Sequence, residues 1–184
     1  MALGTWFLNT KRKKDTGMAT LTNRIDFVVG NEVLINEQDT NADFFLSEDG
    51  SLLYSKSSGD YSVLLGGNWR FELVVDSSTG LCVKLQCFLD ELSVTHTALE
   101  LPQYQQKKVY VVCEEPLSSA CGCHYLPFED SVFWDYTKHL LCIGDPRSTG
   151  QAIEFTNKTI AIIDDTKLRC VYLLLNSISS DTIF

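Results

Sequence analysis

The sequence predicts an all-β protein of antiparallel meander sheets, arranged as two similar halves packed as a sandwich or as paired sheets. Two observations predict it. Residues 132–175 are a series of short apolar runs separated by turn-forming residues, which is how a strand meander reads. The same layout recurs once, at 44–89. Shifting the earlier copy by 88 positions sets Phe45 on Phe133, Leu52-Leu53 on Leu140-Leu141 and Asp76 on Asp164. Dropping one residue in the next turn sets Thr79 on Thr166 and Leu81 on Leu168. A meander of this size has one apolar face that it cannot bury alone, and a second copy supplies the cover.

In chain order, Gly4–Asn9 reads as a first strand with Trp6 and Leu8 on one face, followed by an exposed basic loop at Lys11–Gly17. Residues 24–36 hold two β-type runs around Gly30-Asn31, the pattern of a hairpin turn. The span 26–50 is the most acidic tract, with Asp26, Glu32, Glu37, Asp39, Asp43, Glu48 and Asp49 and no basic residue. Lys84–Leu92 carries both a helical spacing (Leu85, Phe88, Leu89, Leu92) and a strand alternation (Leu81, Val83, Leu85, Cys87, Leu89). Val83 and the preceding turn favour the strand. Residues 93–106 read as a linker with one extended piece, Lys108–Cys113 as a strand, and Glu114–Phe128 as a long loop. The C-terminal runs are Val132–Trp134, His139–Ile143, Ala152–Phe155, Thr159–Ile163 and Leu168–Leu175. Asp, Asn and Pro146 at the breaks between them supply turn chemistry. The resulting division is an N-terminal β half at 1–92, an irregular connection at 93–131 and a C-terminal β half at 132–184, about a dozen strands in all.

With 184 residues and 45% hydrophobic content, the chain can bury a good core. Its formal net charge is −9. Four of the 15 basic residues are Lys11, Arg12, Lys13 and Lys14, and all 24 acidic residues follow them. Residues 15–184 therefore hold eleven basic against 24 acidic residues, a net charge of −13. A surface of that sign repels nucleic-acid phosphates and anionic lipid and attracts basic partners. The expected partner is thus a basic protein, with no nucleic acid and no membrane. Asp164, Asp165, Lys167 and Arg169 interrupt the longest apolar region well short of a membrane span. An apolar patch that precedes the basic cluster reverses the order of a secretory signal, and seven cysteines without framework spacing suit reduced thiols. Both point to the cytoplasm.

Cys121-Gly-Cys123-His124, with Cys113 upstream, offers soft thiolates and an imidazole, the donor set that selects zinc. The spacing lacks the Cys-x2-Cys pairs of a structural zinc site. A zinc-clipped structural or assembly module over Cys113–Cys142 is accordingly an alternative reading, and a cysteine-dependent enzyme is another. Cys123 and His124 are adjacent, so on an extended chain they face opposite ways and cannot share a proton. The paired carboxylates at Glu48-Asp49, Glu114-Glu115, Glu129-Asp130 and Asp164-Asp165 nominate no pair across a cleft. Asp39-Thr-Asn41-Ala-Asp43 begins like a calcium loop but lacks its glycine and its twelfth-position acid. No nucleotide-binding glycine motif occurs.

The function expected from these features is non-catalytic: an acidic binding protein resembling, in physical character alone, small cytoplasmic inhibitors such as toxin-neutralising immunity proteins. Its partner-binding residues would be Glu37, Asp39, Asp43, Glu48, Asp49, Glu114 and Glu115, which steer a basic partner. Tyr54, Tyr61 and Tyr125, in polar contexts, would supply the desolvated contacts.

Overall fold

In a computed structural model of the chain, residues 25–33, 45–46, 51–53, 59–66, 70–88, 94–113, 117 and 123–175 are described. They form strands and no helix. In chain order the strands are β1 (Ile25–Val33), β2 (Phe45–Leu46), β3 (Ser51–Leu53), β4 (Tyr61–Leu65), β5 (Phe71–Val75), β6 (Cys82–Phe88) and β7 (Val94–His96). Then follow β8 (Gln105–Cys113), β9 (Cys123–Leu126), β10 (Val132–Asp135), β11 (Leu140–Gly144), β12 (Gln151–Thr156), β13 (Thr159–Asp164) and β14 (Lys167–Leu174).

A six-stranded sheet is ordered β2-β3-β6-β5-β4-β9, and an eight-stranded sheet β1-β8-β12-β13-β14-β11-β10-β7. The run β2-β3-β6-β5-β4 and the run β10-β11-β14-β13-β12 are the same path, traced once by each similar half. Within each path the pairings are antiparallel. The residue shift of the sequence repeat carries β5 onto β13 and β2 into β10. Within the segment expected to be an irregular connection lie β7, the expected strand Lys108–Cys113, which begins three residues earlier as β8, and β9. Each borders one of the five-strand paths in parallel: β7 on β10, β8 on β12 and β9 on β4. The sheets are therefore mixed rather than purely antiparallel, and part of the expected loop at Glu114–Phe128 is strand. Parallel edge pairing joins residues remote in sequence, and no turn motif announces it.

The inner faces of the two sheets share one apolar core. Val63, Leu65, Phe71, Leu73 and Leu85 from the smaller sheet meet Phe27, Val111, Trp134, Ile143, Ile153 and Leu173 from the larger. Alternation produces this: Val63 and Leu65 lie two apart on β4, as do Trp134 and Val132 on β10. Cys82, Cys87, Cys142 and Cys170 are buried as small hydrophobic residues. Burial pushes the Cys82 and Cys87 thiols well above their ordinary value.

The outer face of the larger sheet is also apolar and is also covered. Residues 97–104 join β7, at one edge, to β8, beyond five intervening strands. Crossing six strand spacings requires about 29 Å. Nine residue steps at full extension reach about 30 Å, so this strap runs nearly straight. Leu99 and Leu101 pack from it onto Leu140, Cys142, Ile160, Ile162 and Tyr172. Buried Asp135 fastens the strap by accepting the Leu99 amide at 2.9 Å, and the Lys138 ammonium donates to the Leu99 carbonyl.

β8 joins the two sheets. Along one side it pairs with β1, and on the other Tyr110 bridges Leu81, the residue before β6. The Val111 amide donates to the Gly80 carbonyl at 2.7 Å. Gly80 ends a turn organised by Asp76, whose Oδ1 accepts the amides and hydroxyls of Ser78 and Thr79. Those bonds, the Ser78 hydroxyl first, hold the Asp76 carboxyl below its usual range. Gly30-Asn31 does not turn the chain. The register between β1 and β8 shifts across Val29 to Val33, so the two residues are absorbed as a bulge in one continuous strand.

Candidate functional site

The outer edge of β1 gathers backbone groups that the sheet leaves unused. In an antiparallel pair, opposed residues alternate between exchanging both hydrogen bonds and exchanging none. Phe27 faces Val111, yet the Phe27 amide donates to the Thr166 carbonyl at 2.7 Å and the Val111 amide to Gly80. That pair therefore exchanges none, and the same holds two residues on, where Val29 faces Val109. The N–H and C=O of Val29 point away from β8, and no backbone partner meets them among the described residues.

They open on a groove of about 310 Å³ lined by Phe27, Val28, Val29, Gly30, Asn31, Lys107, Gln151, Asp165 and Thr166. The turn between β13 and β14 forms its far wall. Asp164 pairs with Lys167, and Asp165 takes φ of 57°, a left-handed conformation that aspartate tolerates. Thr166 latches this turn to β1 twice, through its carbonyl and through its hydroxyl, which donates to Asp26 Oδ1 at 2.9 Å. Lys107 stands opposite Val33 at the bulge end of the groove, and Asp165 stands beside Thr166 at the Phe27 end.

On the outward face of the same strand pair, Val28 is 44% exposed and Val112 50% exposed. Tyr110 lies on that face opposite Val28. A Cβ on Gly30 would stand 3.0 Å from the Tyr110 ring, so the ring covers the bulge and leaves room for glycine. The groove lining offers backbone donors and acceptors, one ammonium and one carboxylate, and includes no thiol or imidazole.

Of the residues expected to bind a partner, Glu37, Asp39, Asp43, Glu48, Asp49, Tyr54, Glu114 and Glu115 lie outside the described residues. Tyr125 is 54% exposed on β9, opposite Leu64. Tyr61 corrects the expectation: it is 1% exposed. Its neighbours Asp60 and Ser62 are polar, but Tyr61 alternates with Val63 and Leu65 and so faces inward. Its hydroxyl shares a hydrogen bond with Nδ1 of His124.

Among the proposed zinc ligands, Cys121 lies outside the described residues. Cys113 ends β8 opposite Ile25, in the larger sheet; burial first, and the Asp26 charge second, push its thiol up. Cys123 and His124 are on β9 in the smaller sheet, beside Ser62 and Val63. As neighbours on one strand they face opposite sides. Among the described residues no three metal-binding side chains converge.

Of the groove residues, the sequence marks Gly30-Asn31, read as a hairpin turn, and the turn at Asp164–Lys167. Gly30-Asn31 within a β-type run was the available signal, since glycine inside a strand marks a bulge as readily as a turn. In comparisons with known proteins, the chain matches no family model and no curated protein.

Proposed function

We propose that this chain is a non-catalytic binding protein whose partner is a basic protein, acting as a small cytoplasmic inhibitor of the toxin-neutralising kind. The observation that carries this reading is the charge distribution: 24 acidic residues follow the only basic cluster, against eleven basic ones. An excess of one sign on a β scaffold raises the encounter rate with a partner of opposite charge over tens of ångströms. The carboxylates of 26–50 and Glu114-Glu115 do the steering, and exposed side chains such as Tyr125 supply contact area once the surfaces meet.

Steering is screened by salt, because the Debye length falls from about 30 Å at 0.01 M to about 3 Å at 1 M. A partner recovered by affinity capture and mixed with the protein in stopped flow is expected to associate at least about tenfold more slowly at the higher salt. Association equally fast at both salt concentrations rules out the electrostatic mechanism and the reading built on it.

A further inference from the structure

We infer that the outer edge of β1 at Val29 is the docking site, and that its occupant is an extended segment of the basic partner, added as a further strand there. The inference rests on the binding-protein reading above and assigns it a place. Three observations carry it. The Val29 N–H and C=O face outward without a backbone partner among the described residues. A groove, rather than open surface, runs along that edge. The Thr166 carbonyl already accepts the Phe27 amide, so a main-chain acceptor is seated on this edge there and the added strand is limited to the stretch beside Val29.

An outward N–H and C=O on an edge strand bind extended peptide by continuing the ladder, and side chains at the ends of the groove choose among peptides. Here Asp165 selects a lysine or arginine at the Phe27 end, in keeping with the acidic charge of the whole chain. Lys107 at the bulge end takes a polar or acidic side chain. The bulge at Gly30-Asn31 disrupts regular pairing beyond Val29, which confines the added strand to a short segment.

The test uses the full chain and two fluorescent synthetic peptides, one alternating threonine and valine with lysine, the other carrying glutamate in place of lysine. The lysine peptide is expected to bind, and to slow hydrogen exchange at the Val29 amide. Val29→Pro removes an outward N–H that bonds nothing in β8, so the sheet survives while the added strand loses its donor. Losing one or two such bonds weakens binding about tenfold. Asp165→Asn keeps a residue that accepts the left-handed turn and removes the charge; it is expected to weaken the lysine peptide and leave the glutamate peptide unchanged. Unaltered circular dichroism establishes that both variants fold. Equal binding of the lysine peptide by the native protein and both variants overturns the assignment to β1. Equal binding of the two peptides, or of neither, also overturns it. The binding-protein reading stands or falls separately, on the salt dependence of the recovered partner.

Discussion

Gly80 has little room for change. Its φ is 78°, and a Cβ there would lie 2.4 Å from the carbonyl oxygen of Val111. A left-handed conformation costs an L-residue about 1–2 kcal/mol before any clash. The colliding atom belongs to a strand and cannot rotate away, and the Val111 amide depends on the same close approach to reach the Gly80 carbonyl. Gly80→Ala is expected to lower stability by about 2–4 kcal/mol, read as a reduced urea midpoint with an unchanged slope. A turn at Asp76–Gly80 is legible in the sequence; its contact with Val111 is not, because thirty residues of chain separate the two. Tyr61 presents the opposite case, since its inward direction follows from alternation with Val63 and Leu65. Polar neighbours suggest exposure only if that periodicity is ignored.

Among the elements, the strap at 97–104 has no counterpart in the sequence reading, where it is a linker. After the Thr97 amide, which donates to the Trp134 carbonyl at 3.0 Å, it leaves the ladder and closes the outer face of the larger sheet with Leu99 and Leu101. Its fastening depends on a charge. Asp135 Oδ1 accepts the Thr137 hydroxyl at 2.7 Å and the amides of Thr137 and Lys138, while Oδ2 accepts the Leu99 amide. These bonds, the Thr137 hydroxyl first and the Leu99 amide next, lower the Asp135 carboxyl to about 2. In the unfolded chain the same group titrates near about 3.9. Its contribution is therefore complete above that value and is lost as pH falls toward 2. Asp135→Asn is expected to destabilise the protein at neutral pH, with the deficit shrinking between about pH 4 and pH 2 in thermal melts. A deficit constant across that range would remove the carboxylate from the fastening of the strap.

For the whole molecule, the two sheets share one core and are joined again by β8, so neither half buries its apolar face without the other. Unfolding should be a single transition. Leu65→Ala in the smaller sheet and Leu173→Ala in the larger each leave a cavity in the same core, and each should cost about 2–5 kcal/mol. Both variants are expected to shift the one urea transition, with circular dichroism and tryptophan fluorescence moving together. Two separated transitions in either variant would show that the halves fold independently. The twofold repeat that underlies this architecture was visible as matched turn punctuation at 44–89 and 132–175, and it emerges as one strand order in both sheets.

The local order of the strands, the turns that separate them, the burial of four cysteines and the acidic charge are all consequences of composition and short-range periodicity. Those signals act over a few residues, so a single sequence displays them. The groove at the outer edge of β1, the strap and the histidine partner of Tyr61 depend on contacts between segments dozens of residues apart. Such contacts follow from which backbone groups remain unpaired after the sheets close, a quantity that exists only once the chain has folded.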